Sequence, residues 1–176
     1  ELTKWKLDVL LVDKEADLAL QASGRNDGEV HPGIDLGKGS LKHKYIRRAN
    51  HMYADVCREL DVPFKQVGQY VLFRNAALKP LIGLYAFWRK HHDGIEDTEI
   101  ISGKELMRRE PNLTPETKFA MYNPSAGCVC PYGLTIAYAE NAVQNGAQVS
   151  LNTAVLSMEV SEHNIISVTT NRGVIH

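Results

Sequence analysis

Apolar positions along this chain recur at two different periods, and the switches between them mark out the elements. The first apolar run, LDVLLVDK at residues 7 to 14, is short and continuous. Bounded by polar residues, it predicts a strand over residues 8–13, buried in a parallel sheet covered on both faces. The period then changes to three and four. Leu41, Tyr45, Ile46, Ala49, Met52, Tyr53, Val56, Cys57 and Leu60 follow that spacing, so residues 40–60 read as a helix with Ser40 at its cap.

FKQVGQYVLFR, residues 64 to 74, is dense in β-branched and aromatic residues and predicts one or two strands. A second helix follows, with Leu78, Leu81, Ile82, Tyr85 and Trp88 on its apolar face and Gly94 beyond its end. TEIIS at residues 98 to 102 reads as a strand, and Ser102 with Glu105 makes a capping-box pattern for a short helix that Pro111 stops. Residues 117–123 predict a strand and residues 132–145 a helix ending at Gly146. The tail alternates as strands, with a hairpin around SEHN. Strands alternating with helices predict an α/β or α+β protein. No internal repeat or low-complexity segment interrupts this pattern.

Composition narrows the function classes. The 176 residues allow one domain or a little more, with 44% hydrophobic and 23% charged residues, as in ordinary soluble proteins. A formal net charge of -1 provides no basic field for nucleic acid and no polybasic membrane anchor. No apolar run approaches the roughly 18 residues that span a bilayer, and no signal-peptide pattern is present. The cytoplasm is the expected compartment.

The three cysteines, Cys57, Cys128 and Cys130, are too few and too oddly numbered for a disulfide framework. Cys57 falls on the apolar stripe of the first helix and is expected to be a buried, inert thiol. The CVCP pair raises redox or metal chemistry as an alternative, but a closed zinc site wants four ligands and no second Cys/His pair stands at suitable spacing. No metal site is expected. The histidines form no HExxH arrangement, and His91 with His92 decorates the end of the second helix, where a cation suits the dipole.

The sharpest local chemistry lies at the end of the first strand. Asp13 is placed as the acid that accepts hydrogen bonds from ribose hydroxyls in a nucleotide-binding βαβ unit, which should stand roughly 20 residues after a glycine-rich turn. Only twelve residues precede it. Asp13 is therefore either a plain strand-end charge or part of a unit whose first strand lies outside this sequence. The segment SGRNDGEVHPGI, residues 23 to 34, leaves the carboxyl end of that strand, where open α/β sheets bind ligands. Its glycines let backbone approach a ligand closely, and Ser23, Arg25 and Asn26 with the neighbouring amides supply donors. A solvated loop whose glycines only serve turns is the alternative.

The collinear series VLLVDKE, SGRNDGEVHPGI, GSLKHKYIRRANHMYADVCRELDVPFKQVGQYVLF and MRREPNLTPETKFAMYNPSAGCVCPYGLTIAYAENAVQNGAQVSLNTAV resembles the FAD-dependent oxidoreductases of the D-amino-acid-oxidase superfamily. Within it, the series is most similar to FAD-dependent glycerol-3-phosphate dehydrogenases, with L-2-hydroxyglutarate oxidases next. The likeness covers nearly the whole chain. It implies a partial FAD-binding Rossmann-like domain with an inserted antiparallel-sheet substrate domain. Residues 1–62 would be the partial FAD-binding domain, 63–130 the substrate or cap domain, and 131–176 the return to the FAD-binding domain.

The resemblance also assigns residues. Asp13 matches the acid at the adenosine ribose, followed by Lys14. Ser23, Gly24, Arg25 and Asn26 match the segment along the pyrophosphate and ribityl chain, and Gly28 and His31 the part nearest the isoalloxazine. His31 is the candidate catalytic base for oxidation of a secondary alcohol by hydride transfer to FAD, since an imidazole titrates near working pH; neutral packing beside the ring is the alternative role. Arg25 is a candidate for binding a substrate phosphate. The implied substrate is sn-glycerol 3-phosphate, oxidised to dihydroxyacetone phosphate, with a quinone or another acceptor taking the electrons. A 2-hydroxyacid oxidase and a non-catalytic interaction module are the alternatives. Many relatives carry an acid where Cys130 stands, which weakens any role there. The glycine-rich first turn and a late closing segment fall outside this sequence, so the chain is expected to be an internal fragment that is inactive alone and binds FAD poorly, because that turn carries most of the pyrophosphate binding. An open sheet edge at the first strand would invite self-association. The resemblance further admits peripheral association of the parent enzyme with the inner face of a membrane.

Overall fold

The computed structural model describes residues 1–93, 95 and 98–176. Gly94, expected just beyond the second helix, lies outside the described residues. The strands of the first half are β1 (Leu10–Val12), β2 (Glu29–Val30), β3 (Phe64–Lys65), β4 (Gln69–Phe73) and β5 (Glu99–Ser102). Those of the second half are β6 (Phe119–Asn123), β7 (Gly127–Val129), β8 (Gln148–Ser150), β9 (Val155–Ser161), β10 (Asn164–Thr170) and β11 (Gly173–Ile175). The α-helices are α1 (Leu41–Glu59), α2 (Lys79–Asp93), α3 (Gly103–Arg109) and α4 (Pro131–Gln144). Helix and sheet are mixed, as expected. No helix among the described residues is long and apolar enough to cross a membrane.

The chain forms two compact units, one of residues 1–27, 59–62 and 130–176, the other of residues 28–58 and 63–129. Residues 28–58 thus pack with 63–129, so compactness divides the chain inside the stretch that the resemblance assigns to the FAD-binding domain.

In the first unit, β1 and β8 pair in parallel, Leu11 opposite Val149; such a pair requires a long connection, of which α4 is the last element before β8. Pro131 opens α4, where its missing N–H costs nothing, and the Cys130 thiol accepts from the Gly133 amide at 3.4 Å. Gly146, at φ +95°, follows the helix end in the left-handed region. β9, β10 and β11 form an antiparallel meander. Its first turn places Glu162 and His163 at φ 46° and 69°, the left-handed pair of a tight hairpin around SEHN. The burial expected for the first strand is not found: Leu10 and Leu11 are 43% and 48% exposed in a two-stranded sheet in which, among the described residues, β8 is the partner of β1. A continuous apolar run reports that a strand is meant for burial without reporting what covers it.

In the second unit, β4, β6 and β5 form an antiparallel sheet with β6 in the middle. β7 pairs with both β2 and β3 in a smaller antiparallel sheet. Ile34, Ala86, Ile95 and Met121 pack on one side, with Ile82 and Tyr85 against them; Ile101, Leu106 and Ala120 form a second cluster. Ser40 starts α1 by accepting from the His43 amide at 3.1 Å. Ser102 caps α3 through the Glu105 amide, but the Glu105 carboxylate binds Arg108 and Arg109 instead of closing a capping box.

The buried stripe of α2 is rotated from the expected face. Ala86 and Arg89 are buried, while Leu81 and Trp88 are 62% and 44% exposed. The cause is Arg89, 3% exposed, which occupies a core position because backbone carbonyls receive its guanidinium. In α1 the buried side chains are Asn50 and Cys57, and burial pushes the Cys57 thiol above its ordinary pKa, matching an inert thiol.

Candidate functional site

Asp13 leaves the end of β1 half-buried. Its backbone is fixed on both sides: its amide donates to the Ser150 carbonyl, and its carbonyl accepts from the Thr153 amide at 2.7 Å. The side-chain Oδ1 accepts from the Glu15 amide at 2.9 Å, an Asx-type turn. Residues 21–26 then fold on themselves. The Gln21 carbonyl accepts from the Gly24 and Arg25 amides. The Asn26 amide group donates to the Ala22 and Ser23 carbonyls, both at 3.0 Å. Gly24 is dictated by sterics, since a Cβ there would lie 2.1 Å from the Ala19 carbonyl oxygen. Asp13, Gln21, Ser23, Thr135 and Tyr138 line a cleft of about 380 Å³, within the size range of small-molecule sites.

The stretch 28–36 belongs to the second unit and is held differently. Gly28 takes φ +68°, and its carbonyl accepts from the Val129 amide. From His31 onward, the backbone carbonyls are received by side chains of α1 and α2. Asn50 donates to the His31 carbonyl at 3.2 Å and to Ser125 at 2.9 Å. Arg47 donates to Pro32 at 3.0 Å, the Tyr85 hydroxyl to Ile34 at 2.5 Å, and Arg89 to Gly33 and Leu36 at 2.8 and 2.6 Å. Each of these carbonyls would cost free energy if buried unpaired.

The side chain of His31 is 41% exposed, and its Nδ1 lies 3.5 Å from Glu29 Oε1. Glu29 and His31 stand two residues apart on an extended segment, which turns both side chains to the same side. The same Glu29 oxygen accepts from the Gln69 amide at 2.5 Å. Gln69 accepts from the fully buried Asn123, and Asn123 from the Thr98 hydroxyl at 2.9 Å. Cross-strand pairing sets the middle of this chain, because Gln69 faces Asn123 in the β4–β6 register.

A family model described as FAD dependent oxidoreductase matches residues 1–176. The chain belongs to the FAD-dependent oxidoreductase family. It is 37% identical over 160 residues to the glycerol 3-phosphate dehydrogenase of Caloramator mitchellensis, covering 90% of this chain and 33% of that protein. It is 28% identical over 145 residues to the mitochondrial L-2-hydroxyglutarate dehydrogenase of Nematostella vectensis, covering 82% and 31%. The chain therefore spans about a third of the length of these curated relatives. Its fold is similar to that of the FAD-bound L-alpha-glycerophosphate oxidase from Mycoplasma pneumoniae, with TM-score 0.85 and 24% identity over 97% of this chain and 45% of that one.

The donor set of this FAD-dependent oxidoreductase chain fits its family's cofactor. The Asp13 carboxylate keeps acceptor capacity beyond the Glu15 amide, the chemistry that ribose hydroxyls require. Ser23, Gly24, Arg25 and Asn26 form one turn in the first unit, Lys14 is exposed beside Glu15 at 3.9 Å, and Asp13 and Ser23 share one cleft. Gly28 and His31 belong to the second unit. Sequence reasoning passed over Glu29, Gln69, Asn123, Asn50 and Arg89. The spacing of Glu29 and His31 was the one readable signal, and it needed β2 to be recognised first. The other residues are brought in from distant elements.

Proposed function

We propose that this chain is part of a flavoprotein dehydrogenase that oxidises sn-glycerol 3-phosphate to dihydroxyacetone phosphate, with a quinone or another acceptor taking the electrons. The observation that carries the reading is the 37% identity, over 90% of the chain, to a glycerol 3-phosphate dehydrogenase. Residues 63–130 are assigned to the substrate or cap domain, and residues 1–62 and 131–176 to the FAD-binding domain. Asp13, Lys14, Ser23, Gly24, Arg25, Asn26 and Gly28 are assigned to cofactor binding and His31 to catalysis.

FAD, when bound, supplies the hydride acceptance that an alcohol oxidation needs. The chain's own residues do the rest. Asp13 accepts hydrogen bonds from ribose hydroxyls, and its backbone anchoring to Ser150 and Thr153 holds it for that task. Ser23 and Arg25, both exposed on the 21–26 turn, offer a hydroxyl and a guanidinium to phosphate oxygens. Asn26 contributes by keeping that turn closed. His31 takes the proton of the substrate hydroxyl, and the Asn50 and Arg47 hydrogen bonds to residues 31 and 32 fix its backbone.

A second reading, oxidation of a 2-hydroxyacid of the L-2-hydroxyglutarate type, is favoured by the 28% identity to such a dehydrogenase. Single-turnover flavin reduction in the full-length, FAD-loaded enzyme separates the two. Glycerol 3-phosphate is expected to reduce the flavin at least about 100-fold faster than L-2-hydroxyglutarate, a margin set by pairing or stranding a buried polar group in the site. The reverse order would replace the first reading with the second.

A further inference from the structure

The chain of polar groups behind His31 has a direction. The Thr98 hydroxyl donates to Asn123, the Asn123 amide to Gln69, and the Gln69 amide to Glu29. Every donor points toward Glu29, and the carboxylate at the end is the one member that can only accept. Asn123 is wholly buried at the end of β6, the middle strand of its sheet, so reversing its amide would set its carbonyl oxygen against that of Gln69 at a cost the interior does not tolerate. The carboxylate therefore comes to His31 already oriented, with one oxygen accepting from the Gln69 amide and lying 3.5 Å from the imidazole Nδ1.

We propose that Glu29 is a positioning residue for His31: it holds the imidazole proton on Nδ1 and leaves Nε2 as the nitrogen that receives the substrate's proton. Gln69, Asn123 and Thr98 hold Glu29 for this purpose. The proposal rests on His31 acting as the base. In that step the substrate O–H bond breaks and an Nε2–H bond forms, while the hydride leaves for the family's flavin. The positive charge that develops on the ring faces the Glu29 carboxylate. An imidazole has two chemically distinct nitrogens, and the hydrogen bond made by one decides the availability of the other.

The test uses the full-length, FAD-loaded enzyme and three variants, Glu29→Gln, Glu29→Ala and His31→Ala. The nitrogen chemical shifts of His31, recorded without substrate, read the tautomer directly, and single-turnover flavin reduction by glycerol 3-phosphate reads the consequence. Wild type is expected to carry the proton on Nδ1. Glu29→Ala should lose that preference and slow reduction about 10- to 100-fold, the usual effect of removing a group that orients a functional imidazole. Glu29→Gln keeps the side-chain shape and an accepting oxygen, so it should retain the tautomer and recover part of the rate. That rescue separates positioning from a fold defect.

A wild-type proton on Nε2, or a Glu29→Ala enzyme with unchanged nitrogen shifts and rate, overturns the proposal while leaving a strongly impaired His31→Ala enzyme to support the base reading. A His31→Ala enzyme within about tenfold of wild type ends the base reading, and this proposal with it.

Discussion

Residues 13–26 and 28–36 both combine polar side chains with a glycine that the backbone requires, Gly24 in one and Gly28 in the other, yet the 21–26 turn and the 31–36 segment are held by different means. In the first stretch only the start is tied to distant backbone, Asp13 to Ser150 and Thr153 and Glu15 to Asn152; the 21–26 turn then closes mainly on near neighbours, Gly24 and Arg25 to Gln21 and Asn26 to Ala22 and Ser23, with one long contact from the Thr135 hydroxyl to Ser23 at 3.4 Å. In the second, the carbonyls of His31, Pro32, Gly33, Ile34 and Leu36 bind side chains 15 to 56 residues away. A turn closed locally can be adjusted by local sequence and opens at small cost. A segment clamped by two helices moves only if the helices move, which suits a residue whose position must be kept to a fraction of an ångström.

His31→Ala is the largest expected break in that comparison. In the full-length enzyme it should lower single-turnover flavin reduction by roughly 100- to 10,000-fold, the usual contribution of a positioned base. A change in FAD affinity with reduction left near wild type would instead make His31 a packing residue.

Next comes the clamp. Arg89→Met keeps much of the apolar stem but strands the Gly33 and Leu36 carbonyls. Urea denaturation of the full-length protein should show a loss of about 3 kcal/mol, as for hydrogen bonds to a charged, buried donor. Amide exchange should rise across residues 33–36 while residues 21–26 stay as they were. Equal change in both stretches would erase the distinction drawn between them.

Asp13→Ala tests the first stretch where it is assigned to meet cofactor. FAD binding should weaken by about 1.5 to 3 kcal/mol, the range for hydrogen bonds to a charged group, measured by titrating the apoenzyme. Unchanged affinity would make Asp13 a plain strand-end charge.

Asn26→Ala carries the smallest effect. It removes two neutral hydrogen bonds from an exposed turn, so stability should fall by about 1 kcal/mol. Exchange at Gly24 and Arg25 should quicken, with no response at residues 31–36. A larger, global loss would show that the 21–26 turn is tied into the fold more tightly than its local bonds imply.

Much of the architecture was legible because it rests on neighbours in sequence. Ser40 and Ser102 cap their helices as read, since a cap needs only an amide three residues on. The SEHN hairpin and the helix opened by Pro131 are local decisions too, whereas the two strands of FKQVGQYVLFR, legible from their residue types, find their partners in the distant β7 and β6. The face of α2 was misread because Arg89 is buried, and apolar periodicity assigns every arginine to solvent. β2 and β7 escaped notice because strands of two and three residues show no period, and they exist only by pairing with each other and with β3.

The order of elements and the collinear motifs by themselves determined the family and, through it, the segment to inspect for cofactor chemistry. The neighbours of His31 were decided by tertiary structure alone. Glu29 is two residues away, but its orientation depends on Gln69, Asn123 and Thr98, which strand register in a separate sheet brings into line. The backbone beneath His31 depends on Asn50, and that of the residues after it on Arg47, Tyr85 and Arg89. A backbone carbonyl carries no mark in the sequence of which side chain will reach it. That choice is made when the helices pack, because each buried acceptor must then find whatever donor the fold has placed within about 3 Å.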